Sequence, residues 1–467
     1  MNFTRFLGAT ALALSCAPAA IAETFIVTNP GDSGEGSLRQ ALADAAATAD
    51  GVDFIHITTE DDITLAAPLI YDGVDALEII GHGHTLQATG DFAVLTTTRT
   101  TNLTLHRLHL AGTGGYSIEA QGEAGAPGLL IDVPEDAASL VQVFLHGVEV
   151  SGTAGHGIHV SDCTLAEDCG GGEGGTGEGS DASIALYLTH VTVRDSGNGR
   201  FDADGIRVDE RGPGDILFEA IDLEVDSVGA DGVELDEGQD GQVVVSVVRG
   251  TFSDNGAYCD PALLTPFLPD IPEAEFSEGT TQADTIPAPI TGTPDDGCFE
   301  REVDLYDDGS VEAFEFSIDV DDGFDIDEAG PGRITASFIT SEMTGNYDEG
   351  FDFDEAGAGD VEATFLYTLA ADNVDDGIKI SEAGPGDVVG VVTGSEAIGN
   401  TGVGIVFEEE DDGDLQLVIL RSSTVGNDGG ELGIEAVQDG DGAGFVSVID
   451  TEVADGIEVD GAQIDPD

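Results

Sequence analysis

Six glutamates recur at one place in a repeated phrase of this 467-residue chain: Glu210, Glu237, Glu328, Glu355, Glu382 and Glu409, each five residues after a glycine. The residue before that glycine is acidic in five copies (Asp204, Asp231, Asp322, Glu349, Asp376). The residue four after it is Asp209, Asp236, Asp327, Asp354, Ser381 or Glu408, and two after it stand Asp325, Asp352 and Lys379 in the middle copies. Carboxylates at fixed spacing can hold hard cations through oxygen ligands, work as acid–base pairs, or form a solvated, self-repelling surface.

The glycines show which elements must position these groups. Gly205 and Gly232 are 27 residues apart, as are Gly323, Gly350, Gly377 and Gly404. Each copy reads as a short alternating strand (Ile206, Val208), a glycine-rich turn such as Gly330-Pro331-Gly332, and a second alternating run such as Ile216–Val225. Period-two alternation broken by Gly, Pro, Asn and Asp means strands and tight turns. A unit this short cannot bury its own apolar face, so copies must stack and share a core. The chain is therefore expected to be all-β, a single-stranded parallel β-helix of about 27 residues per coil.

Stacking turns each acidic position into a ladder. At about 4.8 Å between strands, each pair of like charges repels by roughly 0.9 kcal/mol even in water. Down several ladders this rivals a domain's net stability of about 5–15 kcal/mol. Bound Ca²⁺ would offset it, with Asp322, Asp325, Asp327, Glu328, Asp352, Asp354, Glu355, Glu382 and Glu409 as candidate ligands. High external salt would offset it without a discrete ion, since the Debye length falls to about 3 Å at 1 M. Neither an EF-hand loop nor the G-G-x-G-x-D calcium repeat is present.

Catalysis has weaker support. Between inward-pointing Ile378 and Ile380, Lys379 points out in the column of Asp325 and Asp352, an arrangement similar to a calcium-assisted lyase site. Relief of the acidic column by one cation is the plainer reading. Asp321-Asp322-Gly323 and Asp375-Asp376-Gly377 could be glycosidase acid pairs, but a motif at every coil corner is scaffold first. Gly81-His82-Gly83 reads as a turn. The pairs His106/His109 and His156/His159 are expected on strands facing opposite ways, as surface or turn histidines. No G-x-S-x-G elbow, H-E-x-x-H helix or phosphate loop appears.

The formal net charge is −81, from 94 acidic against 13 basic side chains, and residues 201–467 carry most of it. Such a field makes nucleic acid and anionic membranes poor partners. Arg5, the apolar run Phe6–Leu14 and Ala20-Ile21-Ala22 read as a signal peptide cleaved after Ala22, too short to span a bilayer. Lipidation at Cys16 is the alternative, weakened by bulky Leu14. The other four cysteines bracket two breaks in the repeat and suggest disulfides Cys163–Cys169 and Cys259–Cys298; three pairings are formally open, and zinc is the weaker alternative.

The segment Thr28-Asn29-Pro30-Gly31-Asp32-Ser33-Gly34-Glu35-Gly36-Ser37-Leu38-Arg39-Gln40-Ala41-Leu42 resembles the opening of a group of bacterial secreted right-handed parallel β-helix repeat proteins. That resemblance implies a right-handed coil, export and an N-terminal capping helix, but no one activity. Ser37 and Gln40 would form a capping box, with Leu38, Ala41, Leu42 and Ala45 as the apolar face. The expected organisation is a signal peptide (1–22), a cap strand and helix (23–50), N-terminal coils (51–256), a Pro-rich inserted loop (257–298) and acidic regular coils (299–467). With no barrel-like segment after the coils, a self-contained autotransporter is not expected. The expected function is a non-catalytic exported protein, secreted or periplasmic, that binds cations, a glycan or a cell-surface component. A calcium-assisted polysaccharide lyase or other carbohydrate-active enzyme is the alternative.

Overall fold

In the computed structural model, the residues described are 23–48, 51–116, 125–163, 179–200, 202–257, 265, 299–305, 311–318, 320–440 and 442–466. The expected signal peptide and three of the cysteines, Cys169, Cys259 and Cys298, lie outside them; Cys163 is buried.

The chain is a parallel β-helix. Among the described residues nearly every strand pairs in parallel with its counterpart one coil away, giving one sheet of 21 strands and a front sheet of 12. In the front sheet Phe324 pairs with Phe351 and Ile326 with Phe353, so identical positions of the repeat lie on top of one another. Alternation sends Ile206, Val208, Phe324, Ile326, Phe351, Phe353, Ile378 and Ile380 into one continuous core. Each such side chain contributes roughly 1.5–3 kcal/mol on burial. Phe338 packs edge-on to Phe351, which packs edge-on to Phe365, at 4.7 and 4.9 Å between ring centroids.

The long sheet folds around a corner in mid-coil. His82, Arg107, His190, Asp222, Arg249, Thr340, Tyr367, Arg421 and Asp450 take up the left-handed backbone region there, one above another, with Gly147 and Gly394 in the same role. Along this exposed edge Asp222 is flanked by His190 at 3.1 Å and Arg249 at 2.5 Å.

The capping helix spans Leu38–Ala46 and buries Leu38, Ala41, Leu42 and Ala45. Only half of the expected capping box forms. Ser37 Oγ accepts from the Gln40 amide at 3.3 Å, but the Gln40 side chain turns forward and donates to Asp44 instead. Arg39 ties the cap to the first coil by donating to Asp32, Ala67 and Pro68.

A long insertion interrupts the regular coils. The offset between stacked residues is 27 from Asp204 to Asp231, then 91 from Asp231 to Asp322. Within the interruption, Phe299–Leu305 and Val311–Ile318 form an antiparallel pair of their own, and coiling resumes at Phe324. Among the described residues no helix is long and apolar enough to cross a membrane.

One buried column satisfies itself. Asn255, Asn346, Asn373, Asn400 and Asn427 stack, each Nδ2 donating to the next Oδ1 at 2.9–3.0 Å, and Asp455 accepts at the end. The repeat glycine is required beside it: a Cβ on Gly350 would sit 2.8 Å from Asn373 Nδ2 and 2.5 Å from the Gly377 carbonyl.

Candidate functional site

The six glutamates do not line an exposed edge. Glu210, Glu237, Glu328, Glu355, Glu382 and Glu409 are at most 1% exposed. Parity explains why, because five residues after the glycine is the same side of the strand as the core residues one and three after it. Each Oε1 serves the turn that follows. Glu355 accepts from the Gly357 and Gly359 amides at 3.1 and 3.0 Å, Glu328 from Gly330 and Gly332, Glu382 from Gly386, and Glu409 from Asp411. The turns stack so tightly that a Cβ on Gly357 would meet the Gly330 carbonyl at 1.6 Å.

The second oxygens meet each other. Glu210, Glu328, Glu355 and Glu382 each have a buried Oε2 with no donor, were every carboxyl ionised. A carboxylate oxygen can only accept, so a proton on one carboxyl is what would let neighbouring carboxyls satisfy one another along the stack. Burial and the neighbouring carboxyls push Glu210, Glu237 and Glu382 up to about 8 and Glu328 up to about 10. The column has polar ends: Asp162 accepts from the Arg211 amide at 2.8 Å, and Gln438 Nε2 donates to Glu409.

The outward positions of the front sheet form a lattice of rows, two side chains per coil. Successive rows are His159/Ser161, Arg207/Asp209, Glu234/Asp236, Asp325/Asp327, Asp352/Asp354, Lys379/Ser381 and Val406/Glu408. Arg207 donates to Asp209 at 2.7 Å, to Glu234, and to Asp236 at 3.3 Å, and Arg211 also donates to Asp236. Lys379 donates to Asp352 at 2.7 Å and to Glu349 at 3.1 Å. Burial works against its charge, but Asp352, Glu349 and Asp354 outweigh it and hold the ammonium protonated.

Of the sequence-predicted ligands, Asp325 and Asp327 come together with Glu234, one oxygen of each within 4.8 Å of the others. Asp322 groups in the same way with Asp348 and Glu349. Burial and surrounding carboxylates push Asp322, Asp325 and Asp352 well above the usual carboxylate range. Asp354 accepts from Ser381 Oγ. Glu328, Glu355, Glu382 and Glu409 are not in these groups; they belong to the inner column. Beside Lys379, an open cleft of about 270 Å³ is lined by Asp327, Asp354, Ser381, Glu408 and Glu410.

The histidine expectation fails for one pair. His156 lies in the turn before its strand, so it and His159 converge, with ring centroids 4.6 Å apart and both largely buried. His156 Nδ1 accepts from the Asp204 amide at 3.0 Å, and His159 Nε2 meets Asp209 at 2.6 Å. Arg207 and His159 outweigh burial and hold Asp209 well below the usual range. His106 and His109 are partly exposed, beside Glu78 and Glu149. Glu234, Arg207 and Arg211 were missed as site residues, although the row positions of Arg207 and Glu234 follow from the 27-residue spacing.

No protein-family model matches this chain, and no curated protein is similar to it. Neither comparison shows membership in the bacterial repeat group that the opening segment resembles, while the parallel solenoid which that resemblance implied is present. Among solved structures, the chain is similar to a GH136 lacto-N-biosidase from Eubacterium ramulus, at 10% identity and TM-score 0.39 over 95% of this chain and 68% of that one. It is also similar to the Streptococcus pneumoniae surface protein and adhesin PfbA, at 9% identity and TM-score 0.22 over 94% and 97% of the two chains. At these identities and scores neither neighbour's chemistry carries over.

Proposed function

We propose that this is an exported, non-catalytic β-helix whose acidic front face engages cations and, through them, a glycan or another cell-surface component. The observation that carries this reading is the state of Lys379. The cation best placed to act as a base in the cleft is held protonated by Asp352 and Glu349, so it has no free electron pair to accept a proton. A face this acidic repels anionic polymers unless cations bridge the two, and Ca²⁺ fits the oxygen-only donor set. Export is proposed from the sequence of the N-terminal segment, with its basic residue, apolar run and Ala20-Ile21-Ala22 site, and from the even number of cysteines that follow it.

The cleft beside Lys379 supports a second reading, a carbohydrate-active enzyme. One experiment separates them. Retention on a panel of neutral and acidic polysaccharides is measured with calcium and with chelator, and the eluates are assayed for released products. Calcium-dependent retention without products is the expected result. Products from the wild type that disappear in Lys379→Ala would overturn it in favour of the enzyme.

A further inference from the structure

The coils distribute their charge unevenly, and one outward face is left nearly without it. Before the mid-coil corner, nine successive parallel pairings join ten strands, from residues 102–106 to residues 445–449. Among the described residues, Glu219 and Glu362 are the only Asp, Glu, Lys or Arg side chains at the outward positions of these strands. The same coils put acid on their other faces, with Asp325 and Asp327 on the front and Glu342, Glu396 and Glu452 beyond the corner.

An aliphatic column stands where the acid is missing. Alternation sends Phe338 and Phe365 into the core and turns Ile339 and Leu366 outward, in register with Ile221, Val248, Leu420 and Ile449. Ile221 and Ile449 are 44% and 36% exposed. Towards the N-terminal coils, Phe144 and Tyr187 stack on the same face with ring centroids 4.6 Å apart. The strands therefore read as runs apolar on both sides, such as Val243-Val244-Val245-Ser246-Val247-Val248, the pattern of parallel strands covered on both faces.

We infer that this back face is an interface between two copies of the chain, packed sheet on sheet. Ten coils at about 4.8 Å, by a strand of five residues or about 17 Å, give roughly 800 Å² per copy, the share each partner gives to a specific interface of standard size. Homodimer interfaces are the more apolar class, and charge is depleted at their centres. A second copy carries the same coil pitch, so the side-chain rows of one can seat between those of the other. Back-to-back packing also holds the two acidic fronts apart by three sheet spacings, about 30 Å, well beyond a Debye length of about 8 Å. An approach through the front or past the corner would instead bring acidic faces together. The aliphatic column offers a sugar few hydrogen-bonding groups, and the dimer leaves the front of each copy open, so it is independent of cation binding there.

The full chain is sedimented over a concentration series up to about 100 μM, in about 0.15 M and about 1 M NaCl. A dimer is expected, and it should tighten in the higher salt, where repulsion between the acidic chains is screened and the apolar contact persists. Leu366→Glu, within the column, should weaken dimerisation by at least about thirtyfold with wild-type circular dichroism, since Glu362 already occupies this face. Val425→Glu adds the same charge at an exposed position beyond the corner and should leave the dimer intact. A wild-type monomer at both salt concentrations overturns the proposal, as does a dimer that weakens with salt or is unaffected by Leu366→Glu. Should that variant not fold, Leu366→Thr decides in its place, with dimerisation expected to be roughly tenfold weaker. A wild-type monomer that is retained on a neutral polysaccharide, and loses that retention in Leu366→Glu, would also overturn it by making a glycan the occupant.

Discussion

Two buried polar columns run through the same coils, one before the front strands and one at their ends, and solve the same problem differently. An asparagine carries both a donor and an acceptor, so the stack from Asn255 to Asn427 closes its own hydrogen bonds at any pH. An ionised glutamate carries acceptors only. The stack from Glu210 to Glu409 can satisfy the turn amides with Oε1, but its Oε2 atoms need protons from solvent. The amide column is thus a fixed part of the scaffold, whereas the carboxyl column depends on its medium. The upward shift of these carboxyls makes protonation one way to relieve the ladder repulsion expected from the sequence.

Exchanging the two chemistries tests the contrast most severely. Asn373→Asp removes the donor to Asn400 and sets a carboxyl in a stack with no spare proton, and should lower stability by roughly 2–4 kcal/mol at neutral pH, read as a fall in Tm. Glu355→Ala leaves the Gly357 and Gly359 amides without an acceptor and should cost about 2 kcal/mol by the same measurement.

A pH series comes next. Groups raised to about 8 and about 10 stay protonated in the folded chain at neutral pH and below, whereas in the unfolded chain they ionise above the ordinary glutamate value of about 4.5. Their contribution is fully present below about pH 4.5 and is lost as pH rises through the folded values. The wild-type Tm should therefore fall between about pH 5 and pH 9. A Tm that rises over this range would break the comparison. Glu328→Gln copies the ending that Gln438 provides and should flatten that slope with little change near pH 5. The smallest effect belongs to the exposed corner, where Arg249→Ala should leave the Tm unmoved because the Asp222–Arg249 pair is solvated.

Much of this was legible in the sequence. The 27-residue glycine spacing and the alternating apolar positions specify stacked parallel coils, and Ser37 with its apolar followers marks the cap. Parity could also have placed the glutamates inward, since Phe324, Ile326 and Glu328 occupy one side of their strand. Treating the five-after position as a charged surface obscured this. The asparagine column was readable too, with Asn346, Asn373, Asn400 and Asn427 at the same spacing, but it lies outside the segment aligned on the glycine. Other features are not written locally. Convergence of His156 with His159 depends on a turn before the strand, and the contact of Glu234 with Asp325 spans the interruption, where offset alone does not specify register.

The stacked glycine turns carry an implication for length. With backbone on backbone at Gly330, Gly357 and Gly384, the solenoid is most simply shortened or extended by a whole coil. Excising residues 350–376 would splice Glu349 directly to Gly377, an acidic-glycine junction of the native kind, and would bring Lys379 down beside Asp325. Coil number in this architecture is a dial that sets which charges become neighbours, and a single in-frame deletion or duplication would turn it by one click.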